Sequence, residues 1–229
     1  GRMNRPAAWW NYQIHDNDER RKDSGRIRFA LHHEADGTPS GYAVYRPKSD
    51  WAATGPNGTL HIGEVRATNP RAYARMWRFL LEIDLVRSIK YDGAAIDEPL
   101  RYLVADQRAL QCEVVDGIFV RLVEVDRALA LRRYGAPVDI VVGVHDEFCP
   151  WNTGSFRLRG DLDGAACERT TAPADLTMSA RDLGAVYLGG TSVAQLVAAG
   201  LVDEHTPGSA HRAAAAFGWP VAPAIPDHF

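Results

Sequence analysis

Several places along the chain bring together residue types able to do chemistry, and each has a plainer competing explanation. His145, Glu147 and Cys149 alternate at the end of an apolar β-branched run, so they share one face of a strand as a metal-ligand set would. No second ligand cluster supports them, and Cys149-Pro150-Trp151-Asn152 reads as a turn that ends the strand, so no metal is expected. His32 and His33 point to opposite sides of a strand and make no pair of ligands. Leu188-Gly189-Gly190-Thr191-Ser192 has the glycine content of a nucleotide loop but lies between two helical segments; a helix C-cap followed by the next N-cap explains it. Arg66-Ala67-Thr68-Asn69-Pro70-Arg71 joins a strand to a helix, where backbone N–H groups can cradle a pyrophosphate. It contains no glycine and Pro70 removes one donor, so no cofactor is expected there. Trp9, Trp10 and Tyr12 form either a wall for a ligand or a hydrophobic staple on the first helix. No GxSxG elbow, HExxH or P-loop occurs, so hydrolysis by serine or metal has no support.

The elements that would position these groups follow from periodicity. A short helix carrying Trp9 and Trp10 precedes a charged loop, Asp16 to Asp23. Ile27, Phe29 and Leu31, then an Asp36-Gly37 turn, then Tyr42, Val44 and Arg46 predict a hairpin. Leu60, Ile62 and Val65 predict a third strand, followed by a helix from Pro70 whose stripe is Tyr73, Trp77, Leu80 and Leu81, with Asn69 as cap. A strand near Ser88 to Tyr91, a short helix from Pro99 to Val104, paired strands at Cys112 to Val115 and Ile118 to Val123, and a helix from Asp126 to Arg133 complete a mixed α/β region. A second region opens with the run Val138 to Val144 and strands at Phe156–Leu158 and Ala165–Cys167. Helices at Ala180 to Leu188, Val193 to Ala199 and Ser209 to Phe217 follow, an α+β order in which helices cover one sheet face. Their apolar stripes read as core, with a lipid cavity beneath them as the other reading. From Trp219 to Phe229 the prolines Pro220, Pro223 and Pro226 forbid a helix and predict an extended strap.

At 229 residues and 46% apolar, the chain can fill two ordinary domains, and a net charge of −3 gives no global attraction to nucleic acid or anionic lipid. No apolar run is long enough to cross a bilayer and the first residues have no signal-peptide core, so a cytoplasmic protein is expected. The cysteines Cys112, Cys149 and Cys167 are odd in number with no CxxC, which predicts free thiols.

Val65-Arg66-Ala67-Thr68 leading to Trp77-Arg78-Phe79-Leu80-Leu81, then Asp146-Glu147-Phe148-Cys149-Pro150-Trp151-Asn152, then Asp182-Leu183-Gly184 with Tyr187-Leu188-Gly189-Gly190, and last Ala215-Ala216-Phe217-Gly218-Trp219, stand in the order of the matching blocks of the enhanced intracellular survival (Eis) acetyltransferases. Together they cover nearly the whole chain, which resembles the C-terminal part of that family. The resemblance implies a central GNAT-like domain at 1–134, incomplete at its start and free of cofactor, and a sterol-carrier-protein-like α+β domain at 135–229. Acetyl-coenzyme A is then bound by an N-terminal GNAT domain absent from this chain. It further implies a hexamer, acetylation of amines on aminoglycosides or protein lysines, and direct transfer with the chain-terminal carboxylate as base, here that of Phe229. Trp10 matches an aromatic residue near the acceptor pocket. Asp227 adds negative potential for a polycationic substrate, and His228 stands where relatives often carry an acid. The alternative function is a stand-alone lipid- or ligand-binding module.

Overall fold

A computed structural model describes residues 5–21 and 23–225. The chain forms two units, one of residues up to Val115 together with Ala224 and Ile225, the other Asp116–Pro223.

In the first unit, helix α1 (Ala7–Gln13) and a single turn α2 (Asp18–Arg21) precede a hairpin of β1 (Arg28–His33) and β2 (Pro39–Lys48). The two-residue strands β3 (Trp51–Ala52) and β4 (Gly55–Pro56) lead into β5 (Gly58–Ala67), helix α3 (Pro70–Leu81) and β6 (Val86–Tyr91). The sheet order is β1-β2-β5-β6, with β5 and β6 parallel because α3 carries the chain back across the sheet. Asn69 Oδ1 accepts from Ala72 N at 2.8 Å and Pro70 follows, so α3 starts where its cap chemistry dictates. Its buried stripe is Ala72, Met76, Trp77 and Leu80, packed on Ala43, Tyr45, Leu60, Ile62 and Val65; Leu81 is exposed. Burying side chains such as Leu80 contributes roughly 1.5–3 kcal/mol each.

The hairpin forms as the alternation predicts, but the faces are reversed. Ala30, Ala43 and Tyr45 meet α3, while Phe29 and Leu31 lie 52% and 65% exposed on the other side. Period-2 alternation finds a strand and leaves open which face a helix will cover. The strands expected at 112–115 and 118–123 do not form; those residues run without regular structure, and Val114, Val115, Ile118 and Phe119 are exposed. β-branched residues make a strand only where a neighbour takes their ladder hydrogen bonds.

The division falls between Val115 and Asp116 and not after Tyr134. The reason is packing: Leu122, Val125, Leu129 and Tyr134 belong to the core of the second unit. That unit comprises α4 (Val125–Ala130), β7 (Val138–His145), β8 (Gly154–Gly160), β9 (Ala165–Thr170), β10 (Leu176–Ser179), α5 (Ala180–Tyr187), α6 (Val193–Ala198), β11 (Val202–Glu204) and α7 (Ser209–Phe217). Its sheet order is β11-β10-β7-β8-β9, with only β10 and β7 parallel. Leu183, Val186, Val193, Ala213, Ala216 and Phe217 from the helices and Ile140, Val142, Phe156, Leu158 and Leu176 from the strands form one buried cluster.

Candidate functional site

In the first unit, a polar cluster is built on the outer face of the sheet by one irregularity. Tyr45 pairs with Ile62 and Val44 with Glu64, so Gly63 is an extra residue in β5. Leu60 and Ile62 face α3; without the bulge Glu64 would face it too. The inserted residue turns Glu64 to the opposite side and puts Val65 into the core. Glu64 then lies beside Tyr42, which alternation places on that same outer face.

Glu64 is 7% exposed and fully engaged. Arg5 Nη1 donates to both carboxylate oxygens at 2.9 Å, Arg66 Nε stands 2.7 Å from Oε1, and the Tyr42 hydroxyl donates to Oε2 at 3.0 Å. Burial, and then the charge of Glu64, push the Tyr42 phenol up, so it remains a neutral donor. The Arg5 guanidinium sits 4.3 Å from the Trp9 ring centre and 5.3 Å from that of Trp10. Trp9 and Trp10 meet edge to face at 4.9 Å, and Trp10 meets Tyr42 at 6.4 Å. Helix α1 has no buried residue, so these contacts, and not an apolar stripe, attach it. Two guanidiniums against one carboxylate leave the cluster net positive. Its carboxylate is committed to its neighbours and is not a free base. Trp10 is thus a half-buried ring held against an ion-pair network.

The strand–turn–helix at α3 does not fit a pyrophosphate. Pro70 has no N–H, Asn69 occupies that of Ala72, and Asn69 Nδ2 donates to Glu34 Oε1 at 3.0 Å. A carboxylate therefore stands where an anion would have to enter. Hydrogen bonds from Ser40 and Asn69 hold the Glu34 carboxyl below the usual range, so it is charged at neutral pH. The Gly189-Gly190 segment ends α5, with Gly189 at φ 82°, and Ser192 N donates to Gln195 Oε1 at 3.1 Å as α6 begins.

His145, Glu147 and Cys149 do not converge. His145 Nε2 and Glu147 Oε1 are 3.6 Å apart with both side chains exposed, whereas Cys149 is buried. His32 Nδ1 bonds Ser40 Oγ at 2.8 Å, and His33 is exposed. The feature that sequence reasoning missed beside the trio is Asp146. It is 4% exposed and accepts from Phe148 N at 3.1 Å, Cys149 N at 2.9 Å, Asn152 Nδ2 at 3.0 Å and Arg121. Asn152 Oδ1 takes Val125 N and its Nδ2 donates to Leu122 O, both at 3.2 Å, so this turn fastens the segment entering α4. An aspartate two residues before an apolar-aromatic turn is the sequence signal for such an Asx arrangement. Glu64 had a fainter signal, an acid directly after a glycine within an apolar strand.

Asp227, His228 and Phe229 lie outside the described residues.

Residues 1–122 match the acetyltransferase (GNAT) domain and residues 125–226 match the sterol carrier protein domain. The chain belongs to the GNAT acetyltransferase family. It is 42% identical over its full length to an uncharacterized N-acetyltransferase of Streptomyces avermitilis, covering 56% of that protein. It is 29% identical over 87% of its length to the N-acetyltransferase Eis of Mycobacterium tuberculosis, covering 46% of it. The crystal structure of Eis1 from Mycobacterium abscessus superposes with a TM-score of 0.78 and 30% identity over the whole chain, again 56% of the relative. This GNAT chain is therefore an Eis-like region, a GNAT-like unit followed by a sterol-carrier-like one, and spans about half the length of the curated relatives it matches.

Proposed function

We propose that this chain is the acceptor-side portion of an acetyl-CoA-dependent N-acetyltransferase acting on amines, joined in a longer polypeptide to a domain that holds the acyl donor. One observation carries the reading: a chain similar along its whole length to N-acetyltransferases has filled its own strand–turn–helix with Asn69, Pro70 and Glu34. The donor then binds elsewhere.

The bound donor supplies an acetyl thioester. An amine acceptor would take the acetyl group from that thioester and lose one proton. The proton lost by the amine goes to the α-carboxylate of Phe229. With a reference pKa of roughly 3.3–3.7 that group is ionised at neutral pH and a weak base in water; desolvation on substrate binding would raise its basicity. Trp10 forms an aromatic wall for the acceptor, Asp227 favours a polycation such as an aminoglycoside or a lysine-rich segment, and His228, next to Phe229 in sequence, is the third substrate-binding residue. A cytoplasmic hexamer is the assembly that fits this reading.

The lipid-carrier alternative has less support. Leu183, Val186, Val193, Ala213 and Phe217 fill the space between the helices and the sheet of the second unit. A groove of 630 Å³ in that unit lies at the ends of β7–β9; it is open, and the charged side chains of Asp139, Arg159 and Asp161 line it beside Pro137, Val138 and Ala165.

The test is a longer polypeptide with one glycine added after Phe229. Moving the carboxylate by one residue should lower kcat by about 10²- to 10⁴-fold, the usual worth of a positioned general base. Unchanged turnover would remove Phe229 from the mechanism.

A further inference from the structure

Helix α7 ends at Phe217, and the chain leaves it through residues 218–223. Separate stretches of the second unit close on this root. The Arg132 guanidinium donates to Tyr187 O, the last carbonyl of α5, and through Nη2 to Phe217 O, the last of α7, at 3.1 Å. Its Nε donates to Arg133 O at 3.2 Å. The rings of Tyr134, Phe217 and Tyr187 surround it at 4.6, 4.7 and 5.7 Å. Among the described residues its hydrogen bonds all go to carbonyl oxygens, two of them at helix C-termini, where the peptide dipoles are negative. One cation thus ties together the ends of the two helices.

Glycines provide the remaining contacts. Gly135 N donates to Ala216 O at 2.8 Å, and a Cβ at 135 would stand 2.6 Å from Gly218 O. A Cβ at Gly189 would stand 2.7 Å from Phe217 O. At Gly190 the atoms within 4 Å of a Cβ are Cγ and Cδ of Pro223, at 2.9 and 3.5 Å. Capping α5 needs a left-handed residue at 189 and accounts for that glycine alone. It explains neither Gly190, whose φ is ordinary, nor Gly135. What the three positions share is the backbone and ring of the departing tail.

We infer that Arg132, Gly135, Gly189 and Gly190 form a seat for the root of the C-terminal tail and act as positioning residues for its terminal carboxylate. The second half of this rests on the reading of Phe229 given above. Five residues lie between Pro223 and Phe229, Pro226 and Asp227 among them. Proline fixes φ, so Pro226 removes one of the free backbone torsions between the root and the chain end. A misplacement of about 1 Å at a reacting group costs up to about a hundredfold in rate.

Gly190 gives the decisive variant, because a side chain there strikes Pro223 and leaves the core untouched. In the longer, active polypeptide, Gly190→Val should release Phe229 to carboxypeptidase A about tenfold faster than the unaltered protein. Its kcat should fall about tenfold or more with KM for acetyl-CoA unchanged, and the thermal midpoint should hold. Gly190→Ala should give smaller changes of the same kind, and serves if the valine variant does not fold. An unaltered rate of Phe229 release in both variants would overturn the seat. Faster release with kcat unchanged would uphold the seat and remove the catalytic role of Phe229, so the two readings fail separately.

Discussion

Replacing Glu64 by alanine isolates the network that attaches α1 to the first sheet. The substitution strips the acceptor from Arg5, Arg66 and the Tyr42 hydroxyl at once. Breaking a buried ion pair from one side costs about 3–5 kcal/mol. Here the Arg5 and Arg66 side chains keep 15% and 21% exposure, so water partly rehydrates them and about 2 kcal/mol is the better figure for the charges. The stranded phenol adds about 1 kcal/mol. The sum, about 3 kcal/mol, corresponds at a urea m-value of about 2 kcal/mol/M to a midpoint lowered by roughly 1.5 M. Tryptophan fluorescence separates the units once the tryptophans of the other unit are replaced by phenylalanine, Trp9, Trp10, Trp51 and Trp77 belonging to the first and Trp151 and Trp219 to the second. Only the transition that reports the first unit should move. Glu64→Gln, which keeps the shape and loses the charge, should move it about half as far. In a double-mutant cycle Arg5→Ala and Glu64→Ala should couple by at least about 1 kcal/mol. A shift under about 0.3 M, or equal shifts in both transitions, would refute the assignment of Glu64 as the hub.

Two further expectations concern titration and thiol chemistry. Hydrogen bonding to Arg46, together with Arg21 and the Ile27 amide, lowers the Asp16 pKa from 3.8 to about 2. A depressed carboxyl contributes stability above its unfolded value and loses it as pH falls through the folded one. Asp16→Asn should therefore cost stability at neutral pH and make the acid limb between pH 4 and 2 shallower; identical limbs in acid titrations of the two proteins would dismiss the network. Cys112 is exposed and Cys149 buried, while burial, and then the charges of Asp126 and Glu168, push the Cys167 thiol up to about 12. Ellman's reagent should label one thiol rapidly in native protein and all after denaturation. Rapid labelling of a second would contradict this ordering.

The features legible in the sequence are those whose free energy is local. The Asn69-Pro70 start of α3 rests on a side-chain bond spanning three residues, the Asp36-Gly37 turn on one left-handed position (φ 83° at Gly37), and the late helices on a period of 3.6. The sequence alone therefore determined most elements, their order, and a turn before α3 that is closed to phosphate. Tertiary structure decided the rest. Leu176–Ser179 is too short to declare itself and becomes a strand because Val142–His145 lies beside it. Residues 112–115 look stranded and are not, having no such neighbour. Periodicity cannot say which side of the first hairpin is inside, and the cover supplied by α3 chose Ala30 and Ala43 over Phe29 and Leu31. Glu64 reaches Arg5, 59 residues away in sequence, only because Gly63 shifts the register by one. Spacing along a chain records what each residue does to its near neighbours, whereas faces, partners and the seat of the tail are settled by groups that meet only after folding.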